Sequence, residues 1–316
     1  MRAATPTVLL LAATACDAPA AAPRDAGTPP GDAPGDVVDA APAVVCARRR
    51  SPPAAVTRCN GDPRLCDRRY DQVAYGTTHN AMASAEDGFT NPNQRTGLLR
   101  QLRDGVRGLM LDVHPFRDEV YLCHGVCLLG RRPLGQGLCD VARYLDEDPE
   151  AVVTIIFESY VPASDVARAF ASAGLLEDVH AQPEGAPWPT LREMITRGRR
   201  LVVLTDRDGG AFPWYLPVWR HAQETPFTAR TPEELSCREN RGRPENPLFI
   251  LNHFLTDPFG SEALAERVNH NPLLLERARA CEASRGRRAN FITVDFHDVG
   301  SLSAAVAALN DREPSP

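Results

Sequence analysis

Acid, base and metal-ligating side chains recur at one kind of position in this chain. His79, Asp112, His124, Glu158, Asp206, His253 and Asp295 each stand at or just past the C-terminal end of a short apolar run. Two histidines so placed could move protons in both directions, because an unperturbed imidazole titrates at about 6.5 and both its forms are accessible near neutral pH. Cleaving a phosphodiester beside a neighbouring hydroxyl needs such a pair: a base to take the hydroxyl proton and an acid to protonate the leaving oxygen. Asn80, Asp112 and Glu158 add an amide oxygen and two carboxylates, a hard-oxygen set suited to Ca²⁺ and less so to Zn²⁺.

These residues need a scaffold that brings strand ends together. Apolar runs at 73–78, 109–113, 120–123, 152–157, 201–205, 248–252 and 291–295 read as strands, and stretches 97–107, 140–146, 165–173, 191–197, 262–269, 273–283 and 302–309 carry helical spacing. The alternation is that of an α/β domain. In a (β/α) barrel, residues at the C-terminal strand ends converge on one mouth, so the pattern predicts a single barrel with one strand not visible. One connection is irregular. Only 114–119 separates the second and third runs, too short for the ~12-residue crossover of parallel strands. A hairpin centred near Asp118 is expected, which would set Asp112 opposite His124.

Gly76-Thr77-Thr78-His79-Asn80, Gly108-Leu109-Met110-Leu111-Asp112-Val113, Tyr121-Leu122-Cys123-His124-Gly125 and Ile156-Phe157-Glu158 resemble, in order and spacing, the successive motifs of the phosphatidylinositol-specific phospholipase C X-domain family. Downstream, Trp188-Pro189-Thr190, Asn252-His253-Phe254-Leu255 and Val294-Asp295-Phe296 resemble its exported, cysteine-containing bacterial branch. The likeness runs from about Tyr70 to Gly300. It implies an irregular TIM barrel of the phospholipase-C-like phosphodiesterase type. His79 would be the base, His124 the acid and Asp295 the group that orients one imidazole. Asn80, Asp112 and Glu158 match Ca²⁺-ligand positions, while Met110 stands where animal relatives place a further acidic ligand. Asp206, Asn252 and His253 would bind headgroup hydroxyls or cap the barrel. The implied substrate is phosphatidylinositol or a related inositol phospholipid at a membrane surface. A glycerophosphodiester phosphodiesterase and a non-catalytic inositide or glycan binder are the alternatives. The first usually carries His-Arg and Glu-x-Asp where this chain has His79-Asn80 and Met110-Leu111-Asp112.

Composition narrows the partners. The chain has 316 residues, and all 35 of its basic side chains are arginine, which excludes a Schiff-base lysine and a P-loop. A net charge of -6 without a basic run argues against nucleic acid and against simple electrostatic docking on anionic lipid. No protein partner is implied. Residues 1–16 read as an export signal, basic at Arg2 and then briefly apolar, well short of the ~20 residues of a membrane span. Ala13-Thr14-Ala15-Cys16 resembles a lipoprotein cleavage site, which would make Cys16 the lipidated first residue of a periplasmic or cell-surface lipoprotein; plain secretion is the alternative. Residues 17–50, mostly Ala, Pro, Gly and Asp, are expected as a disordered tether, with the barrel over 51–316. Eight cysteines besides Cys16, in an exported chain, predict disulfides of undetermined pairing, with Cys123 and Cys127 bracing the loop at His124.

Overall fold

The computed structural model describes residues 44–51 and 53–312. The expected leader 1–16, Cys16 and most of the expected tether lie outside them. Residues 44–50, expected as the tether's end, are fastened to the domain. Cys46 is disulfide-bonded to Cys139, and Arg48 pairs with Asp146 at 2.8 Å and Asp178 at 2.9 Å. The other bridges are Cys59–Cys66, Cys123–Cys127 and Cys237–Cys281.

The strands are β1 Tyr75–Thr78, β2 Gly108–Phe116, β3 Glu119–Leu122, β4 Arg132–Pro133, β5 Val153–Ser159, β6 Leu201–Thr205, β7 Tyr215–Pro217, β8 Ala222–Glu224, β9 Leu248–Asn252 and β10 Phe291–Val294. Eight of them form a curled parallel sheet in the order β7-β6-β5-β2-β1-β10-β9-β8, an irregular barrel. Its edge strands β7 and β8 are not paired with each other; a single helical turn, Val218–His221, joins them. Strands β7 and β8 escape the sequence reading because Tyr-Leu-Pro and Ala-Gln-Glu are short and interrupted by proline or polar residues. The expected hairpin is present as β2–β3, extended by β4, but its register differs. Phe116 pairs with Glu119 and Val113 with Leu122, so Cys123 N–H reaches Asp112 O (3.3 Å) and His124 lies one residue beyond. A two-residue turn has its centre between Arg117 and Asp118, not on Asp118.

The helices are α1 Leu98–Arg103, α2 Leu134–Glu147, α3 Ala163–Ser172, α4 Leu191–Thr196, α5 Val218–His221, α6 Glu262–Val268, α7 Leu273–Arg285 and α8 Leu302–Asn310. Helix α2 buries a stripe of Leu134, Leu138, Val141, Ala142 and Leu145 at helical spacing. Its first turns are hidden in the sequence by Gly135 and Gly137, poor helix formers. The structure needs Gly137 small: a Cβ there would lie 2.4 Å from the Leu122 side chain on β3.

Side chains alternate in and out along each parallel strand. Tyr75, Met110, Ile156, Val202, Leu204, Ile250 and Phe291 pack together inside the barrel, whereas Leu109, Leu111, Ile155, Phe157, Val203, Leu251 and Ile292 pack against the outer helices. Continuing the inward set by twos leads to His79, Asp112, Glu158, Asp206, Asn252 and Asp295. It does not lead to His253, which is in phase with Leu251. His253 is therefore fully buried away from the mouth. Its Nε2 donates to Val268 O (2.9 Å) and its Nδ1 accepts from Arg277 (3.1 Å), so His253 is not available for the expected headgroup role. Burial first, and Arg277 second, hold its pKa down to about 3.

Two consequences are measurable. A Cβ on Gly108 would sit 2.3 Å from Thr77 Oγ1 on the neighbouring strand. Gly108→Ala should cost about 1–3 kcal/mol in urea unfolding, and an unchanged midpoint would contradict this packing. His253 is neutral when folded but protonates below about 6.5 when unfolded. Stability is therefore intact above about pH 6.5 and declines as pH falls toward about 3. His253→Gln should flatten that acid limb by up to about 1.4 kcal/mol per pH unit, one proton's worth. Equal slopes for the two proteins would show that His253 does not titrate as described.

Candidate active site

His79 follows the last residue of β1, and its backbone N–H is tied to Val294 O of β10 (3.0 Å). Its Nδ1 lies 2.9 Å from Asp295 Oδ1, and its ring stacks on Phe254 with centroids 3.8 Å apart. An ionised carboxylate can only accept, so Nδ1 carries the proton and the lone pair is left on Nε2. Asp295 is 2% exposed and also accepts from Asn93 Nδ2 (3.0 Å). Among the described residues its buried Oδ2 has no partner, and Gly260 packs so closely that a Cβ there would be 2.4 Å from it.

Asn80 would point away from the barrel if β1 continued. Instead it adopts a left-handed conformation (φ 44°), which asparagine tolerates better than most residues, so that it lines the cavity as His79 does. Its Nδ2 donates to Asn93 Oδ1 (3.3 Å) and lies 3.3 Å from His124 Nε2. Among the described residues its Oδ1 has no hydrogen-bond partner. His124 is carried past the end of β3 on the loop closed by Cys123–Cys127, where Gly125 supplies the positive φ of the turn (66°). Partial burial, and then the nearby His79, lower its pKa.

Asp112 and Glu158 are register partners on β2 and β5, which sets the two carboxylates side by side. No arginine is paired with either among the described residues. Burial, reinforced by Glu158, pushes Asp112 up to about 7. Glu158 accepts from the Tyr160 hydroxyl, and Tyr160 stacks on His114. Met110, two residues before Asp112, reaches the floor of the same recess. Among the described residues no three His, Cys, Asp or Glu side chains cluster as a metal site. Asp112, Glu158 and the Asn80 Oδ1, none of them paired with an arginine among the described residues, are hard-oxygen donors of the kind Ca²⁺ would take.

The residues line two connected spaces. An outer cavity of about 740 Å³ is bounded by His79, Asn80, Asp112, His124 and Glu158. An inner recess of about 100 Å³ shares His79, Asn80, Asp112 and Glu158 and adds Asp206 and Asn252. Asp206 accepts from Ser159 N–H (2.9 Å), and burial raises its pKa. The sequence reading missed Glu224 and Arg241 in this recess. Glu224, 2% exposed, accepts from Arg241, from Asn240 (2.8 Å) and from Asn252 (3.0 Å). Arg241 lies over Trp219, 4.3 Å from its centroid. Strand β8 is too short and polar to announce Glu224. Asn93 was missed because it lies on a loop with no apolar run before it.

Residues 65–310 match the PI-PLC X family, PI-PLC X 1. A PI-PLC X domain-containing protein of Arthroderma benhamiae is 28% identical over 278 residues, covering 80% of this chain and 89% of that protein. One of Arabidopsis thaliana is 30% identical over 271 residues, covering 78% of this chain and 63% of that protein. An uncharacterised secreted protein of the same fungus is 28% identical over 286 residues, covering 81% and 64% of the two chains. Among solved structures, a histidine-to-tyrosine variant of the Staphylococcus aureus phosphatidylinositol-specific phospholipase C superposes with TM-score 0.54 at 12% identity, covering 79% of this chain and 95% of that one. At that identity the likeness speaks for the shared barrel alone. The family match covers most of the chain, which therefore belongs to the PI-PLC X family.

Proposed function

We propose that this chain is an exported phosphodiesterase of inositol phospholipids, with His79 as general base and His124 as general acid. The observation that carries this reading is that both imidazoles face one cavity, and that Asp295, Asn93 and Asn80 connect them. His79 Nε2 takes the proton of the headgroup hydroxyl next to the phosphate. That oxygen forms a bond to phosphorus as the bond to the glycerol oxygen breaks, and protonated His124 delivers its proton to the leaving oxygen. The products are a cyclic inositol phosphate and diacylglycerol. Asp206 and Asn252 line the recess where headgroup hydroxyls would bind. Asn80 Oδ1, Asp112 and Glu158 would hold Ca²⁺, which when bound would polarise the hydroxyl and offset charge on the phosphoryl oxygens.

A lipid substrate also needs an apolar approach. Val126, Leu129, Phe227 and Phe259 line the outer cavity yet remain exposed, and Leu128 beside them is 74% exposed. This rim supports contact with a phospholipid surface. Trp214 and Tyr215 are not part of this rim: Tyr215 is buried in β7 and Trp214 packs on Phe170. Four disulfides accord with an oxidising compartment. Lipidation at Cys16 belongs to the proposal.

Incubating the protein with phosphatidylinositol and following phosphorus NMR should reveal a cyclic inositol phosphate, dependent on Ca²⁺ and abolished by chelator. His79→Ala and His124→Ala should each lose at least about 10²-fold in rate. Full turnover in either variant rejects the acid–base pair, and hydrolysis of glycerophosphoinositol alone selects the glycerophosphodiesterase alternative. Asp112→Asn should abolish Ca²⁺ binding measured by calorimetry. Leu128→Asp should weaken cosedimentation with phosphatidylcholine/phosphatidylinositol vesicles about 10-fold, the worth of one buried leucine. Unchanged partitioning would remove the rim from the docking surface.

A further inference from the structure

We propose that Asn93 is a positioning residue that fixes the tautomer of His124 and the orientation of Asn80. Its catalytic consequence rests on the acid–base reading above. Asn93 is 3% exposed, with its backbone held by Ala83 and Phe296: its N–H donates to Ala83 O (2.8 Å), and its carbonyl accepts from Phe296 N–H (2.8 Å). The next residue, Gln94, donates to His79 O (3.0 Å) and Val294 O (3.2 Å), pinning this loop across the ends of β1 and β10.

Polarity passes along the chain of hydrogen bonds in one direction. The Asp295 carboxylate can only accept, so the group 3.0 Å from it must be the Asn93 NH₂. The Asn93 carbonyl oxygen is thereby turned toward Asn80, whose NH₂ must donate to it across 3.3 Å. That same NH₂ then faces His124 Nε2 at 3.3 Å, where a donor can only meet a lone pair. Neutral His124 therefore carries its proton on Nδ1. The amide oxygen of Asn80 is left free for the recess. Neither amide can flip alone without placing donor against donor or oxygen against oxygen. The carboxylate that orients His79 thus sets the tautomer of neutral His124 too, through two asparagines, and the Nε2 proton that the acid role needs would break the contact with Asn80.

The test reads the tautomers directly. Long-range ¹H–¹⁵N NMR of imidazole-labelled full-length protein in mildly alkaline buffer should show His79 and His124 both protonated on Nδ1. A neutral His124 protonated on Nε2 in the unmodified protein overturns the proposal without any variant. Asn93→Ala should leave the His79 tautomer in place and convert His124 to a mixture. Its kcat should fall on the order of 10-fold with KM unchanged, the lower range for loss of an orienting partner. A single Nδ1–H tautomer of His124 in Asn93→Ala also overturns it. If the unmodified protein does not turn over phosphatidylinositol, the proposed reaction fails, while the tautomer measurement still decides the role of Asn93.

Discussion

A strand in a parallel barrel can send only every second side chain inward, and this limit governs everything at the mouth. The inward set at the lower levels is apolar side chains and threonines, with Tyr75, Ile156, Val202 and Phe291, and carries charged, imidazole or amide groups only at its last step. Seven of the eight parallel strands, all but β7, thereby place a polar side chain in or beside the recess or cavity from the C-terminal end, where the interior meets solvent. Hydrophobic packing below holds the backbone of β1, β2, β5 and β10, so that Asp112 and Glu158 stand on their strands and His79 and Asp295 one residue past theirs.

The same limit explains what was legible in the sequence. The strand ends at His79, Asp112, Glu158, Asp206, Asn252 and Asp295 could be read because a continuous apolar run precedes each. Counting by twos from Ile250 separates Asn252 from His253, so the outward position of His253 was available from sequence alone. The register of the β2–β3 hairpin was not, because a three-residue loop centred on Asp118 and a two-residue turn beside it both fit the same stretch of sequence. Glu224 and Asn93 had no apolar run to mark them. Glu224 depends on a three-residue edge strand, and Asn93 on a loop whose path is set by contacts with β1 and β10.

Regular alternation cannot by itself complete a site that needs neighbours in sequence. His79 and Asn80 both reach the cavity only because Asn80 takes a left-handed conformation and breaks the alternation. His124 lies beyond its strand altogether, on a loop held by Cys123–Cys127. Irregular backbone therefore supplies one histidine and the amide beside it, while regular strands supply the other histidine and the carboxylates. The hydrogen bonds through Asn93 span that division, tying a loop-borne group to the rigid sheet.

Charge places the final demand on this arrangement. Asp112, Glu158, Asp206 and Glu224 face the recess against Arg241, and Arg241 is already engaged by Glu224. A phosphodiester brings another negative charge. Two like charges about 4 Å apart cost on the order of 4 kcal/mol at the dielectric of a protein surface. In the proposed reaction, protonated His124 and a bound cation are the positive groups that would offset it. Burial first, and the neighbouring Glu158 second, raise the Asp112 pKa, and a proton on Asp112 would compete with a divalent ion for the same oxygens. Met110 bears on that competition. With an apolar side chain beneath Asp112, the pair when fully ionised would carry two negative charges, the number that a single divalent ion would offset.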